Sequence, residues 1–89
     1  MRTAPPSVTL LTQADCHFCE HAKDVLERVG AEVPIEVEEI DLTSTEGRAL
    51  ATQHGVLFAP GILLNGEAFG YGRLSERRLL KSLRRLASD

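Results

Sequence analysis

The run Val8–Thr12, "VTLLT", joins apolar and β-branched residues over a strand's length, which predicts a strand buried within a sheet. Residues 1–7, with Pro5 and Pro6, read as a loose lead-in. From Cys16 the period changes. Phe18, Ala22, Val25, Leu26 and Val29 fall at i, i+4, i+7, i+8 and i+11, one face of a 3.6-residue repeat. A helix is therefore predicted over 16–29, with Phe18 on its buried face, Asp15 as N-cap and Gly30 as its stop. Val33, Ile35 and Val37 alternate, and then Ile40 and Leu42 take the opposite phase. That pattern predicts a strand over 33–42 with an irregularity near Glu38–Glu39, and Pro34 and the carboxylates place it at a sheet edge.

Thr43 with Glu46 three residues on has the form of a capping box, opening a helix to His54 with Gly55 as its terminator. Its apolar face is short: Leu50, Ala51 and Ala49. Ile62–Leu64 and Glu67–Phe69 flank Asn65-Gly66, a strong signal for a two-residue hairpin. Leu74 and Leu79 bracket Ser75 as a hydrophobic staple brackets an N-cap, opening a helix with the stripe Leu79, Leu80, Leu83, Leu86 and Ala87. The order β-α-β-α-β-β-α predicts an α/β fold: a four-stranded mixed sheet flanked by three helices, in one domain over residues 1–89. The first strand lies inside that sheet, so the loop Gln13–Asp15 opens at its carboxyl end, where α/β folds place chemistry.

Composition narrows the function classes. With 43% hydrophobic and 26% charged residues the chain has ordinary globular usage. The net charge of −3 is unevenly laid out, with Glu32, Glu36, Glu38, Glu39, Asp41 and Glu46 in the middle and Arg73, Arg77, Arg78, Lys81, Arg84 and Arg85 near the end. The basic segment reads as a solvated helix face. Aromatics are only 4%, too few for a base-stacking platform, so no nucleic-acid partner is expected. The longest nearly apolar stretch, "GVLFAPGILL", is too short to span a bilayer, and "MRTAPPSVTLL" lacks a signal-peptide pattern. A cytoplasmic monomer without a membrane partner is the expectation. In that compartment exposed thiols stay reduced, so a cysteine pair points to catalysis, redox sensing or metal binding rather than to a structural disulfide.

Both cysteines fall in "ADCHFCEHAK". Cys16 opens the first helix and Cys19 sits three residues on, which puts the two sulfurs on nearly the same face. The helix N-terminus favours a thiolate at Cys16. A protonated His17 adds to that effect, and Asp15 opposes it. Zinc is the competing reading, through Cys16, Cys19 and His21. A structural zinc site needs four ligands, however, and only His54 remains, so no metal is expected. A cluster shared between two chains stays open as an alternative. C-x-x-C straight after a buried strand, opening a helix in a short βαβ chain with no other cysteine, favours a dithiol redox site.

At "VTLLTQADCHFCEHAKDVLERVG" and "FAPGILLNGEAFGYG" the chain resembles the thioredoxin superfamily, and most of all its short glutaredoxin-type branch. The resemblance covers Val8 to Leu86. It implies the thioredoxin/glutaredoxin fold and a thiol–disulfide oxidoreductase with Cys16 as nucleophile and Cys19 as resolving thiol. It also implies a cis Ala59–Pro60 bond and a substrate surface formed by Gln13, His17, Phe18, Ala59, Pro60, Gly70 and Tyr71. Substrates would be protein or small-molecule disulfides, with no bound cofactor, and glutathione, another small thiol or thioredoxin reductase would supply electrons. The chain departs from the branch in two places. Gln13 stands where a glutathione-binding Lys is common, and in "GYGRLSE" Tyr71 replaces a second glycine while Arg73 occupies the usual place of an acid. Two other readings share these residues: a metal- or cluster-binding module, and a redoxin-fold binding domain without catalysis.

Overall fold

In the computed structural model, which describes residues 4–87, the first apolar run forms strand β1 (Ser7–Thr12). Val8, Leu10 and Leu11 on it are completely buried. Helix α1 (His17–Glu32), strand β2 (Glu36–Asp41), helix α2 (Thr45–His54), strands β3 (Gly61–Leu64) and β4 (Glu67–Tyr71) and helix α3 (Glu76–Ala87) follow in that order. The strands align as β2-β1-β3-β4, with β1 parallel to β2 and antiparallel to β3, and β3 antiparallel to β4. The expected α/β architecture, a four-stranded mixed sheet with three helices, is the observed one. Residues 1–3 of the expected lead-in and the side chain of Ala87 lie outside the described residues.

The sheet carries two apolar layers. Alternation along β1 sends Val8 and Leu10 to one face and Leu11 to the other. On the first face they meet Ala22, Val25, Leu26 and Val29 of α1 and Leu79 and Leu83 of α3, together with Ile62 and Leu64 of β3. On the second face Leu11, Ile40 and Val56 pack under Leu50 and Ala51 of α2. Each fully buried aliphatic side chain contributes about 1.5–3 kcal/mol, so the larger layer beneath α1 and α3 dominates stability. Arg28–Glu76 at 2.9 Å and Arg84–Glu32 at 3.0 Å join α1 to α3 at the surface. Exposed pairs of this kind add little beyond orientation.

Several sequence expectations are corrected. Gly30 does not stop α1. The helix runs on to Glu32 and is closed by Val33, whose N–H bonds the Val29 carbonyl, because Val33 is apolar and docks in the core. β2 is regular from Glu36 to Asp41, paired residue for residue with Ser7–Thr12, and has no bulge near Glu38–Glu39. The change of phase has another cause: Val33 and Ile35 pack in the α1–α3 layer before the strand begins, whereas Ile40 faces the α2 layer. An irregularity does occur, but in the β3–β4 pair between Ile62 and Leu63, and β4 extends past Phe69 to Tyr71. The cap of α2 is Ser44, whose hydroxyl accepts the Gly47 N–H, while Thr43 donates its N–H and hydroxyl to Asp41 Oδ1. The lead-in is partly tied down, with Pro6 buried and its carbonyl accepting the Glu36 N–H.

Three turns form as the sequence predicts. Gly55 ends α2 at φ 70°, Asn65-Gly66 makes the β3–β4 turn at φ 50° and 82°, and the Ser75 hydroxyl accepts the Arg78 N–H at the start of α3. Among the described residues no helix is long and apolar enough to cross a membrane.

Candidate redox site

β1 ends at Thr12, and Gln13–Asp15 carry the chain out of the sheet before α1 turns back over it. The turn is made at Asp15, which adopts a left-handed φ of 55°, a conformation that a short polar side chain tolerates better than most. Asp15 is therefore not the N-cap. That position belongs to Cys16, with extended backbone, and its Sγ accepts the Cys19 N–H at 3.1 Å. A cysteine is an unusual cap, and here the sulfur takes the place that a Ser or Asp oxygen would fill. Cys16 is half-buried at the mouth of the helix; Cys19 is 1% exposed, against the core. A disulfide joins the two, with their Cα atoms 5.1 Å apart.

Of the expected site residues, the fold gathers most at the carboxyl end of β1. In the antiparallel β1–β3 ladder the last partners are Leu11 and Gly61. Beyond that rung the two chains carry Gln13 and the Ala59–Pro60 pair past the same end of the sheet. The Ala59–Pro60 bond is cis, Pro60 is fully buried, and Ala59 is 8% exposed. Gly61 is tightly enclosed, because a Cβ there would meet Val56 at 2.8 Å and Leu11 at 3.2 Å. Tyr71 of β4 pairs with Gly61 and so reaches this edge too, and Gly72 donates its N–H to the Pro60 carbonyl at 2.8 Å. Gly70 sits one rung further in, opposite Ile62. Gln13 and His17 are exposed, the His17 ring 6.0 Å from that of Phe18. Phe18 was expected on the buried face of α1 but is 43% exposed, since it lies in the first turn, ahead of the stretch that meets the sheet.

Leu57 and Phe58 were missed. Both are exposed just before the Ala59–Pro60 bond, and the Phe58 ring meets Tyr71 edge to face at 5.0 Å. One signal was available in the sequence. The chain has only four aromatic residues, three Phe and one Tyr, and all but Phe69 stand exposed at this end. Among the described residues no three His, Cys, Asp or Glu side chains group as a metal-ligand set.

The arrangement sets a sulfur at a helix N-terminus, a second sulfur sheltered behind it, and a backbone segment with apolar neighbours alongside. Such a pair can exchange thiols with an incoming disulfide. Comparison with known proteins agrees with this at the level of family. The chain is 29% identical over 80 residues to a thioredoxin of Methanocaldococcus jannaschii, a match covering 88% of this chain and 92% of that one. Its fold is similar to that of a mutant thioredoxin from Halobacterium salinarum, with a TM-score of 0.70 and 23% identity over 92% of this chain and 74% of that one. It is similar also to an uncharacterized thioredoxin-like protein from Clostridium perfringens, with a TM-score of 0.72 and 16% identity over 96% of this chain and 73% of that one. Residues 7–84 match the model of the glutaredoxin-like domain family DUF836, and the chain belongs to that family within the thioredoxin superfamily.

Proposed function

We propose that the protein is a dithiol–disulfide oxidoreductase acting in the cytoplasm, with Cys16 as nucleophile and Cys19 as resolving thiol. The observation that carries this reading is the unequal setting of the two sulfurs. Cys16 is half-buried at the N-cap with a backbone N–H on its Sγ, and Cys19 is shielded one turn behind it. In the reduced protein that N–H and the partial positive charge of the helix end favour a thiolate at Cys16.

The Cys16 thiolate attacks one sulfur of the substrate disulfide. The substrate S–S bond breaks, a mixed disulfide forms, and the first substrate sulfur leaves as a thiolate that takes up a proton. Cys19 then gives up its proton and attacks the Cys16 sulfur, releasing the second substrate thiol. The substrate has gained two electrons, and the protein holds the Cys16–Cys19 disulfide described above. A thiol reductant returns it to the dithiol; glutathione, another small thiol and thioredoxin reductase all suit the chemistry. Ala59 precedes β3 at the sheet end where β1 gives way to the Cys16 turn, and its N–H and C=O make no backbone hydrogen bond to another described residue. An extended substrate segment can pair with them as a short added strand. Gln13, His17, Phe18, Gly70 and Tyr71 complete the surface that such a segment would touch.

The test is a pair of variants. Cys16→Ser abolishes reduction of a protein disulfide, and Cys19→Ser forms a mixed disulfide that survives non-reducing electrophoresis. Activity retained in Cys16→Ser would overturn the assignment of the nucleophile. Protein purified under nitrogen with one equivalent of bound metal and unreactive thiols would favour a metal or cluster module.

A further inference from the structure

Release of a substrate from Cys16 depends on the second thiol, whose setting favours a thiolate less than that of the first. Cys16 Sγ accepts the Cys19 N–H, whereas among the described residues no hydrogen-bond donor reaches the Cys19 sulfur. Cys19 is also almost completely buried, and burial opposes the ionisation of a thiol. The thiolate is nevertheless the form that attacks the Cys16 sulfur. A charge that favours it has to come from close by.

Lys23 is placed to supply that charge. Helix α1 runs unbroken from His17 to Glu32, so Lys23, four residues after Cys19, lies one turn further along the same face. At that spacing the two Cβ atoms are about 6 Å apart. Two carboxylates hold the ammonium in place. Nζ is 3.3 Å from Glu20 Oε2 and 3.7 Å from Glu39 Oε1 on β2. Glu39 reaches it because it stands beside Leu10 in the parallel β1–β2 ladder, and Leu10 faces the layer beneath α1. The hydrogen bond to Glu20, and then the charge of Glu39, raise the Lys23 pKa above its ordinary 10.5, so the ammonium stays charged where thiols titrate. Lys23 also offsets a carboxylate that would oppose the thiolate, since Glu20 is the residue after Cys19.

We propose that Lys23 is a positioning residue for the resolving step: its ammonium, pinned between Glu20 and Glu39 one turn beyond Cys19, favours the Cys19 thiolate. The inference rests on the redox reading above and deepens its second half. In that step the Cys19 thiol gives its proton to solvent and the thiolate attacks Cys16 Sγ. The bond between Cys16 and the substrate sulfur breaks, and that sulfur leaves as a thiolate.

A simple brace between α1 and β2 would behave differently. Lys23→Gln and Glu39→Gln both break the α1–β2 ion pair, but they change the charge near Cys19 in opposite directions.

The test mixes reduced protein with one equivalent of 2,2′-dipyridyl disulfide, a neutral probe. Capture by Cys16 releases one pyridine-2-thione in a bimolecular phase, and attack by Cys19 releases a second in a phase independent of concentration. Lys23→Gln slows the second phase about threefold, the effect of one charge about 7 Å away in water-like surroundings, and leaves the first phase unchanged. Lys23→Arg keeps the wild-type rate. Glu39→Gln, which leaves the ammonium in place, is as fast as the wild type or faster. A wild-type second phase in Lys23→Gln, a Lys23→Arg variant as slow as Lys23→Gln, or a Glu39→Gln variant slowed to the same degree overturns the proposal. If the wild type completes both phases but reduces no protein disulfide, the redox reading fails while the comparison of variants still decides the role of Lys23.

Discussion

Phe58 and Tyr71 meet edge to face at 5.0 Å, one from the segment before the cis bond and one from the last rung of β4. Phe58 is 53% exposed and Tyr71 41%, so neither ring is spent on filling the core. Phe58 also lies over Gly72, where a Cβ would come within 3.1 Å of the ring. The pair forms an exposed apolar surface next to the Ala59–Pro60 bond, suited to a side chain next to a substrate cysteine.

Phe58→Ala is expected to act on substrate more than on folding. Loss of the ring pair costs the fold about 1 kcal/mol, measurable as a small shift in the urea midpoint. Against a protein disulfide with apolar flanking residues, KM rises about fivefold, the equivalent of roughly 1 kcal/mol of binding, while kcat hardly moves. An unchanged KM would remove Phe58 from the substrate surface.

The architecture was legible because period and burial agree. Ala22, Val25, Leu26 and Val29 recur at helical spacing and all reach the core, and Asn65-Gly66 demanded the left-handed turn it makes. Local competition hid the rest. Asp15 is the better capping residue by type, yet it is used for the left-handed turn, and that passes the cap to Cys16. Gly30 looks like a terminator, but burial of Val33 outweighs it and draws the helix onward. Around the start of β2 a change of face mimicked a bulge, since Ile35, just before the strand, serves one layer and Ile40, within it, the other. Phe58 was invisible because it falls inside an apolar run, "GVLFAPGILL", that periodicity alone assigns to the core.

Leu10→Ala tests the layer beneath α1 and α3. Leu10 is completely buried on the central strand, between Ile62 on β3 and the two helices. Truncation leaves a cavity and costs about 2–5 kcal/mol, a large share of the stability of a domain this size. The urea midpoint should fall steeply with the slope unchanged. A loss below about 1 kcal/mol would mean that the layer collapses around the gap.

Gly47→Ala and Gly70→Ala form a contrasting pair. A Cβ at Gly47 would run into the Asp41 carbonyl and the Leu42 backbone, whereas one at Gly70 would meet nothing within 4 Å. Backbone cannot swing aside as a flexible side chain does, so Gly47→Ala should cost about 1–3 kcal/mol or more and loosen the β2–α2 connection. Gly70→Ala should stay within about 0.5 kcal/mol of the wild type. Equal thermal midpoints for the two variants would contradict the close approach of α2 to the end of β2.

Acid sensitivity should arise partly at the α1–α3 seam. The Arg28 guanidinium hydrogen-bonds Glu76 and holds its carboxyl below the ordinary value of 4.5, against a smaller opposing effect of desolvation. A carboxylate whose folded-state pKa is depressed contributes stability that is fully present above its unfolded value. That contribution is lost as pH falls through the folded value, when protonation ends the pairing with Arg28. Asp41 acts in the same sense, its carboxylate stabilised chiefly by the Thr43 hydroxyl and then by the Thr43 N–H. Glu76→Gln is therefore expected to lower the urea midpoint at neutral pH and to flatten its decline below pH 4.5, while the Asp41 contribution persists. Added salt should narrow the difference between variant and wild type, because the pair is exposed. A Glu76→Gln profile that parallels the wild type through the acid range would show that the Arg28–Glu76 pair contributes nothing to acid stability.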